Sequence, residues 1–146
     1  LNGNLFSAAE PTPNTEPPAV WSFTVGGQVV PWQRTGQGKR RFTPKRTRDY
    51  QTIVATIAAF RRPDGWPFED KEARFAILVD CYMGDLRGRD LDNCGKTIKD
   101  ALEGIAYYND RQIDDGHVRR GRGAECSEPR GLDRENPRVE ITLSVL

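Results

Sequence analysis

The segment Arg89-Asp90-Leu91-Asp92-Asn93-Cys94-Gly95-Lys96 gathers the side chains of this sequence best suited to chemistry. Run extended into a helix start, it sends Asp90 and Asp92 to one side and Leu91 to the core. Two carboxylates at that spacing repel each other, and a divalent cation is the common compensation. Magnesium suits them, because it takes a few carboxylate oxygens and keeps waters and substrate phosphates at its other positions. Lys96 follows Asp92 by four residues and shares its helix face. An ammonium there can neutralise the acids, hold an attacking water or meet charge at a phosphoryl transition state. A second acidic string, Asn109-Asp110-Arg111-Gln112, comes after the helix. That helix would be about 20 Å long, so the connection after it has to return along it if Asp110 is to join Asp90 and Asp92.

Plainer uses of the same residues stay open. Asp92 can serve as an N-cap, and Asp92 with Lys96 as a surface ion pair worth a few tenths of a kcal/mol. A calcium loop of the EF-hand type fits Asp90, Asp92 and Gly95 but fails at Cys94 and at Ala101, where a bidentate glutamate is required.

The net charge of +1 does not by itself announce a nucleic-acid binder, but its distribution is uneven. Arg34, Lys39, Arg40, Arg41, Lys45, Arg46 and Arg48 follow one another with no acid between them. A basic stretch near an acidic cluster is what an enzyme acting on phosphodiesters needs. Such side chains hold phosphates without reading sequence. Arg89 and Arg111 border the acids, as do Arg87, Arg119 and Arg120. Cys81, Cys94 and Cys126 form no C-x-x-C pair, and His117 is the only histidine, which argues against zinc and against a disulfide framework. Trp21, Trp32 and Trp66 are expected to pack rather than to stack on bases.

These side chains need elements to position them. The 146 residues suit one domain. Residues 1–19, with Pro11, Pro13, Pro17 and Pro18, read as a disordered tail, and 20–146 as the folded unit. Trp21, Phe23 and Val25 alternate as a strand; Gly26-Gly27 suggests a hairpin returning over Gln28 to Trp32. Thr43-Pro44 opens a helix over about 44–61, with Tyr50, Ile53, Val54, Ile57 and Phe60 at helical spacing. Residues 75–79 are apolar on both faces, as in a central strand. Cys94, Ile98 and Leu102 mark a second helix over about 92–104. Residues 111–120 can form another strand, 121–137 a loop, and 138–145 a half-buried closing strand. The expected architecture is α+β, one small mixed sheet with two main helices packed on it. No apolar run approaches the roughly 20 residues of a membrane helix, and no signal-peptide pattern opens the chain, so the expected location is the cytoplasm.

The string Arg-Asp-Leu-Asp-Asn-x-x-Lys at 89–96, Asp100-Ala101-Leu102, and Asn109-Asp110-Arg111-Gln112 resemble the RusA family of Holliday junction resolvases. The resemblance covers about residues 20–146, with the same order of elements. It implies a small homodimeric endonuclease of phage or prophage type, cutting four-way DNA junctions in recombination and repair. It also implies magnesium, with manganese as a substitute, held by Asp90, Asp92 and Asp110, and Lys96 as the lysine needed for cleavage. The family often has two acids in the downstream string, and Asn109 stands at the first. On this reading Arg34, Lys39, Arg40, Arg41, Lys45, Arg46, Arg89 and Arg111 contact DNA. Two alternatives remain: a non-catalytic module binding branched DNA, and a less selective nuclease acting on flaps or forks.

Overall fold

An apolar run suits an interior strand, and Phe75–Tyr82 (FAILVDCY) takes an interior place in the sheet, with Phe75, Ile77, Val79 and Cys81 buried and Ala76, Leu78 and Asp80 half-buried on the other face. In this computed structural model, which describes residues 16–33, 42–122 and 131–146, it is β2. The other strands are β1 (Val20–Gly26), β3 (Ile113–Arg120) and β4 (Arg138–Val145), and the helices are α1 (Lys45–Arg61) and α2 (Leu91–Leu102). The sheet order is β1-β4-β2-β3. β4 runs antiparallel to both β1 and β2, while β3 runs parallel to β2. The α+β fold with one mixed sheet and two helices is therefore as expected.

Alternation decides which face is buried. Trp21, Phe23 and Val25 of β1, Ile77, Val79 and Cys81 of β2, and Val139, Ile141 and Leu143 of β4 form one core with Val54, Ala58, Cys94, Ile98 and Leu102 of the helices. α1 packs on α2 and β1, and α2 on α1 and β3. β2, α2 and β3 thus form a β-α-β unit: α2 starts at the C-terminal end of β2 and carries the chain back to where β3 starts. The ladder begins one residue before β1, since Val145 N–H donates to the Ala19 carbonyl at 2.8 Å.

Gly95 sets how closely α2 lies on the sheet. A Cβ there would come within 2.4 Å of Val118 Cγ2 on β3, and a β-branched side chain has little freedom to turn away. Gly95→Ala should therefore destabilise the fold by about 1–3 kcal/mol, despite alanine's better helix propensity. Urea unfolding checks this, and Gly95→Ala with Val118→Ala should recover part of the loss.

Three local expectations need correction. The segment 28–33 is no return strand. Pro31 has no N–H to give a ladder, Gly27 N–H donates to Pro137 O, and Trp32 N–H donates to Asn93 O at 2.9 Å, tying the segment to α2. Gln28 secures it, accepting from Gly84 N–H at 2.7 Å. Thr43 does not cap α1; Pro44 holds that position without a side-chain bond. The buried face of α1 is Thr47, Tyr50, Val54 and Ala58, so Ile53 and Phe60 face outward, Phe60 at 83% exposure.

Candidate active site at the N-terminus of α2

Asp90, not Asp92, is the N-cap of α2. Its backbone is extended (φ −69°, ψ 114°) and its Oδ1 accepts from Asn93 N–H at 3.2 Å. Asp92 lies in the first turn, where the partial positive charge of the helix end favours an acid. Both side chains are exposed. Lys96 does not turn to Asp92. Its Nζ lies 3.5 Å from Asp100 Oδ2 and 4.8 Å from the centre of the Trp32 ring. An acid one turn further along the helix and an aromatic face together hold the ammonium.

Two arginine-lined hollows flank this helix end. One, about 200 Å³, is bounded by Val30, Pro31, Arg46, Thr47, Arg87 and Arg89. The other, about 360 Å³, is bounded by Leu91, Val118, Arg119, Arg120 and Arg122. Two acids between cationic hollows can receive a phosphodiester whose flanking phosphates enter the hollows. A larger hollow of about 570 Å³ lies on the helix-free face of the sheet and includes Leu78, His117 and Thr142, but none of the expected acids.

The connection from β2 to α2 is braced by a pair that sequence reading passed over. Arg89 donates to both oxygens of Asp85, at 2.7 and 3.2 Å, and its side chain is only 10% exposed. Arg89 therefore positions the approach to Asp90 more than it offers a free charge to DNA. The Arg89 fork, together with the Arg87 N–H, holds the Asp85 carboxyl down at about 2. That is below the ordinary aspartate value of about 3.9, so the stabilisation is fully present above about pH 4 and is lost as pH falls through about 2. Amide exchange at residues 85–90 should accelerate across that window, and Asp85→Asn should remove the transition.

Asp110 stands elsewhere. It opens a 3-10 turn, Asp110–Gln112, capped by Asn109, whose side chain accepts from Arg111 N–H at 2.9 Å. Gln112 is buried and fully used: its Oε1 accepts from Asn109 N–H, and its Nε2 donates to Asp70 O and Ala73 O at 2.7 and 2.8 Å. Asn109 and Gln112 thus build the turn, and Asp110 is exposed on it. Asp110 N–H donates to Glu103 Oε1 at 3.1 Å, and Glu103 is the C-cap of α2. Asp90 and Asp110 therefore mark opposite ends of a 12-residue helix, about 18 Å apart along its axis. The chain returns along the helix only after Asp110, as β3. Among the described residues, no group of three or more His, Cys, Asp or Glu side chains is gathered closely enough to hold a metal.

The basic residues divide similarly. Arg34, Lys39, Arg40 and Arg41 lie outside the described residues. Lys45 pairs with Asp49 on the surface at 2.7 Å, Arg46 lines the smaller hollow, and Arg111 is exposed beside Asp110. Cys81 and Cys94 are buried free thiols, pushed up by burial to about 12 and about 11, which disfavours the reactive thiolate.

The family model for the endodeoxyribonuclease RusA matches residues 25–144, from the end of β1 to the end of β4. The chain belongs to the RusA endodeoxyribonuclease family. No curated protein matches it significantly. Arg87, which borders the acids in the sequence, lines one hollow, and Arg122 lines the other. An arginine in a loop acquires meaning only when another segment forms the facing wall.

Proposed function

We propose that this chain is a magnesium-dependent endonuclease that resolves four-way DNA junctions as a homodimer, in DNA recombination and repair. The observation carrying the proposal is the pair of exposed acids at the start of α2, set between two arginine-lined hollows. The donor set suits the metal: magnesium is commonly held by one or two carboxylates, with waters and substrate phosphates completing its shell. Asp90 and Asp92 supply such a pair, and Asp110 is the third ligand.

Because Asp110 sits at the other end of α2, a second chain has to deliver it. In a two-fold dimer whose two α2 helices run antiparallel, Asp90 and Asp92 meet Asp110 of the partner subunit, and symmetry builds the same centre twice. Two centres suit paired cuts across a junction. Held there, magnesium would lower the pKa of a coordinated water and draw charge from the scissile phosphate. The chain's own groups do the rest. Arg46, Arg87 and Arg122 seat the flanking phosphates, Asp90 and Asp92 fix the geometry at the reacting phosphorus, and Lys96, on the next turn, leaves Asp100 and Trp32 to meet developing negative charge.

The test is cleavage of labelled four-way junctions, with linear duplex as control, in magnesium and in EDTA. Symmetric junction cutting in magnesium alone is expected. A folded, junction-bound protein that leaves the junction intact in magnesium refutes the enzyme reading.

A further inference from the structure

β3 closes one edge of the sheet, and along its length it reads Ile113-Asp114-Asp115-Gly116-His117-Val118-Arg119-Arg120, two acids first and two bases last. Residues 114–117 and 119 are all exposed. An edge strand offers a row of N–H and C=O groups to any chain that can pair with it. A strand acidic at one end and basic at the other is complementary to its own reverse.

Parity then selects a register. A two-fold axis that pairs β3 with its copy antiparallel must stand perpendicular to the sheet, so each face continues into the same face of the copy. Directly opposite residues share a face, so the axis passes through a residue and not between two. Centring it on Gly116 sets Asp115 opposite His117, and centring it on Val118 sets His117 opposite Arg119. Only centring on His117 brings Asp115 opposite Arg119 and Asp114 opposite Arg120, with Gly116 leaving room for Val118.

We propose that β3 is the homodimer interface, pairing antiparallel with β3 of a second copy about His117 to make one eight-stranded sheet. The inference rests on the dimeric nuclease reading and deepens it. α2 lies directly on β3, touching it at Gly95 and Val118, and the axis leaves both α2 helices on one face, side by side and antiparallel. Asp90 and Asp92 then stand at the end of the sheet where Asp110 of the partner subunit arrives. The charges involved already have partners within the chain: Asp114 pairs with Arg74, Asp115 with His117 at 2.9 Å, and Arg119 with Asp80. The Asp115, His117 and Arg119 side chains nevertheless remain 63%, 70% and 44% exposed, leaving room for a second partner.

The test uses native mass and crosslinking, neither of which depends on cleavage. Wild type should have the mass of two chains. D115R sets two pairs of like charges across the interface, as does R119D, and each should weaken the dimer at least tenfold. Mixing the two variants restores opposite charges at both contacts and should give heterodimers. H117C should form a disulfide-linked dimer in air, because residues opposite each other across an antiparallel pair sit roughly 4.5–5.5 Å apart at Cα. Wild type run beside it controls for the native cysteines. A monomeric wild type overturns the proposal. So does a dimer that D115R and R119D leave unchanged, or one in which H117C stays uncrosslinked. A dimer that behaves as described yet leaves junctions uncut in magnesium sinks the nuclease reading and spares the interface.

Discussion

Asp90→Asn should lower junction cleavage by at least about 100-fold, equivalent to about 3 kcal/mol of transition-state stabilisation, without changing the midpoint of thermal unfolding. The two readouts separate because Asp90 has two tasks. As N-cap it accepts a hydrogen bond from Asn93 N–H, and asparagine caps about as well as aspartate. As a metal ligand it needs its charge. Asp90→Ala removes both and should cost about 1 kcal/mol of stability in addition to the activity. Junction affinity in EDTA should hold or rise in Asp90→Asn, since one negative charge near phosphate is gone. Wild-type cleavage by Asp90→Asn would leave Asp90 a cap and nothing more.

The second large effect is a recovery. Asp92→Asn and Asp110→Asn should each be inactive alone, yet a mixture in equal amounts should cut. If the acids of one centre come from two chains, a heterodimer has one centre with all three intact and one with two damaged. Random re-pairing makes half of the dimers mixed, so about a quarter of all centres are whole. The mixture should nick junctions at about that fraction of the wild-type rate, while paired incision stays rare, because a second good centre is missing. A mixture as inactive as its components means that Asp90, Asp92 and Asp110 do not act across two chains. This result also bears on the 12-residue helix that separates the acids within one chain, because no small side-chain movement spans about 18 Å.

Much of the fold was legible because periodicity and burial agreed. The two-faced apolar run 75–79 could only be an interior strand, Cys94, Ile98 and Leu102 could only line one helix face, and the alternation over 138–145 matched a half-covered strand. Errors arose where a local signal competed with a tertiary one. Gly26-Gly27 is a sound hairpin signal, but Trp32 N–H finds Asn93 O and draws the segment to α2. Ile53 and Phe60 fit a helical stripe, but the core accepts the smaller Thr47, Val54 and Ala58 around Tyr50, where α1 meets its neighbours.

For the candidate site, residue types were readable and their grouping was not. Asp90 and Asp92 stand together because only Leu91 lies between them. Whether Asp110 joins them depends on the path after Leu102, and nothing local encodes that path. Asn109 and Gln112, read as part of a motif, turn out to be the joints of a turn. Asp85, never suspected, braces the loop that leads to Asp90.

The length of α2 has a consequence for where paired breaks would fall. In the proposed dimer the two centres would stand at the two ends of the α2 pair, so the number of residues from Leu91 to Leu102 would set a spacing of about 18 Å between them. Adding one turn to α2 would widen that spacing by about 5 Å.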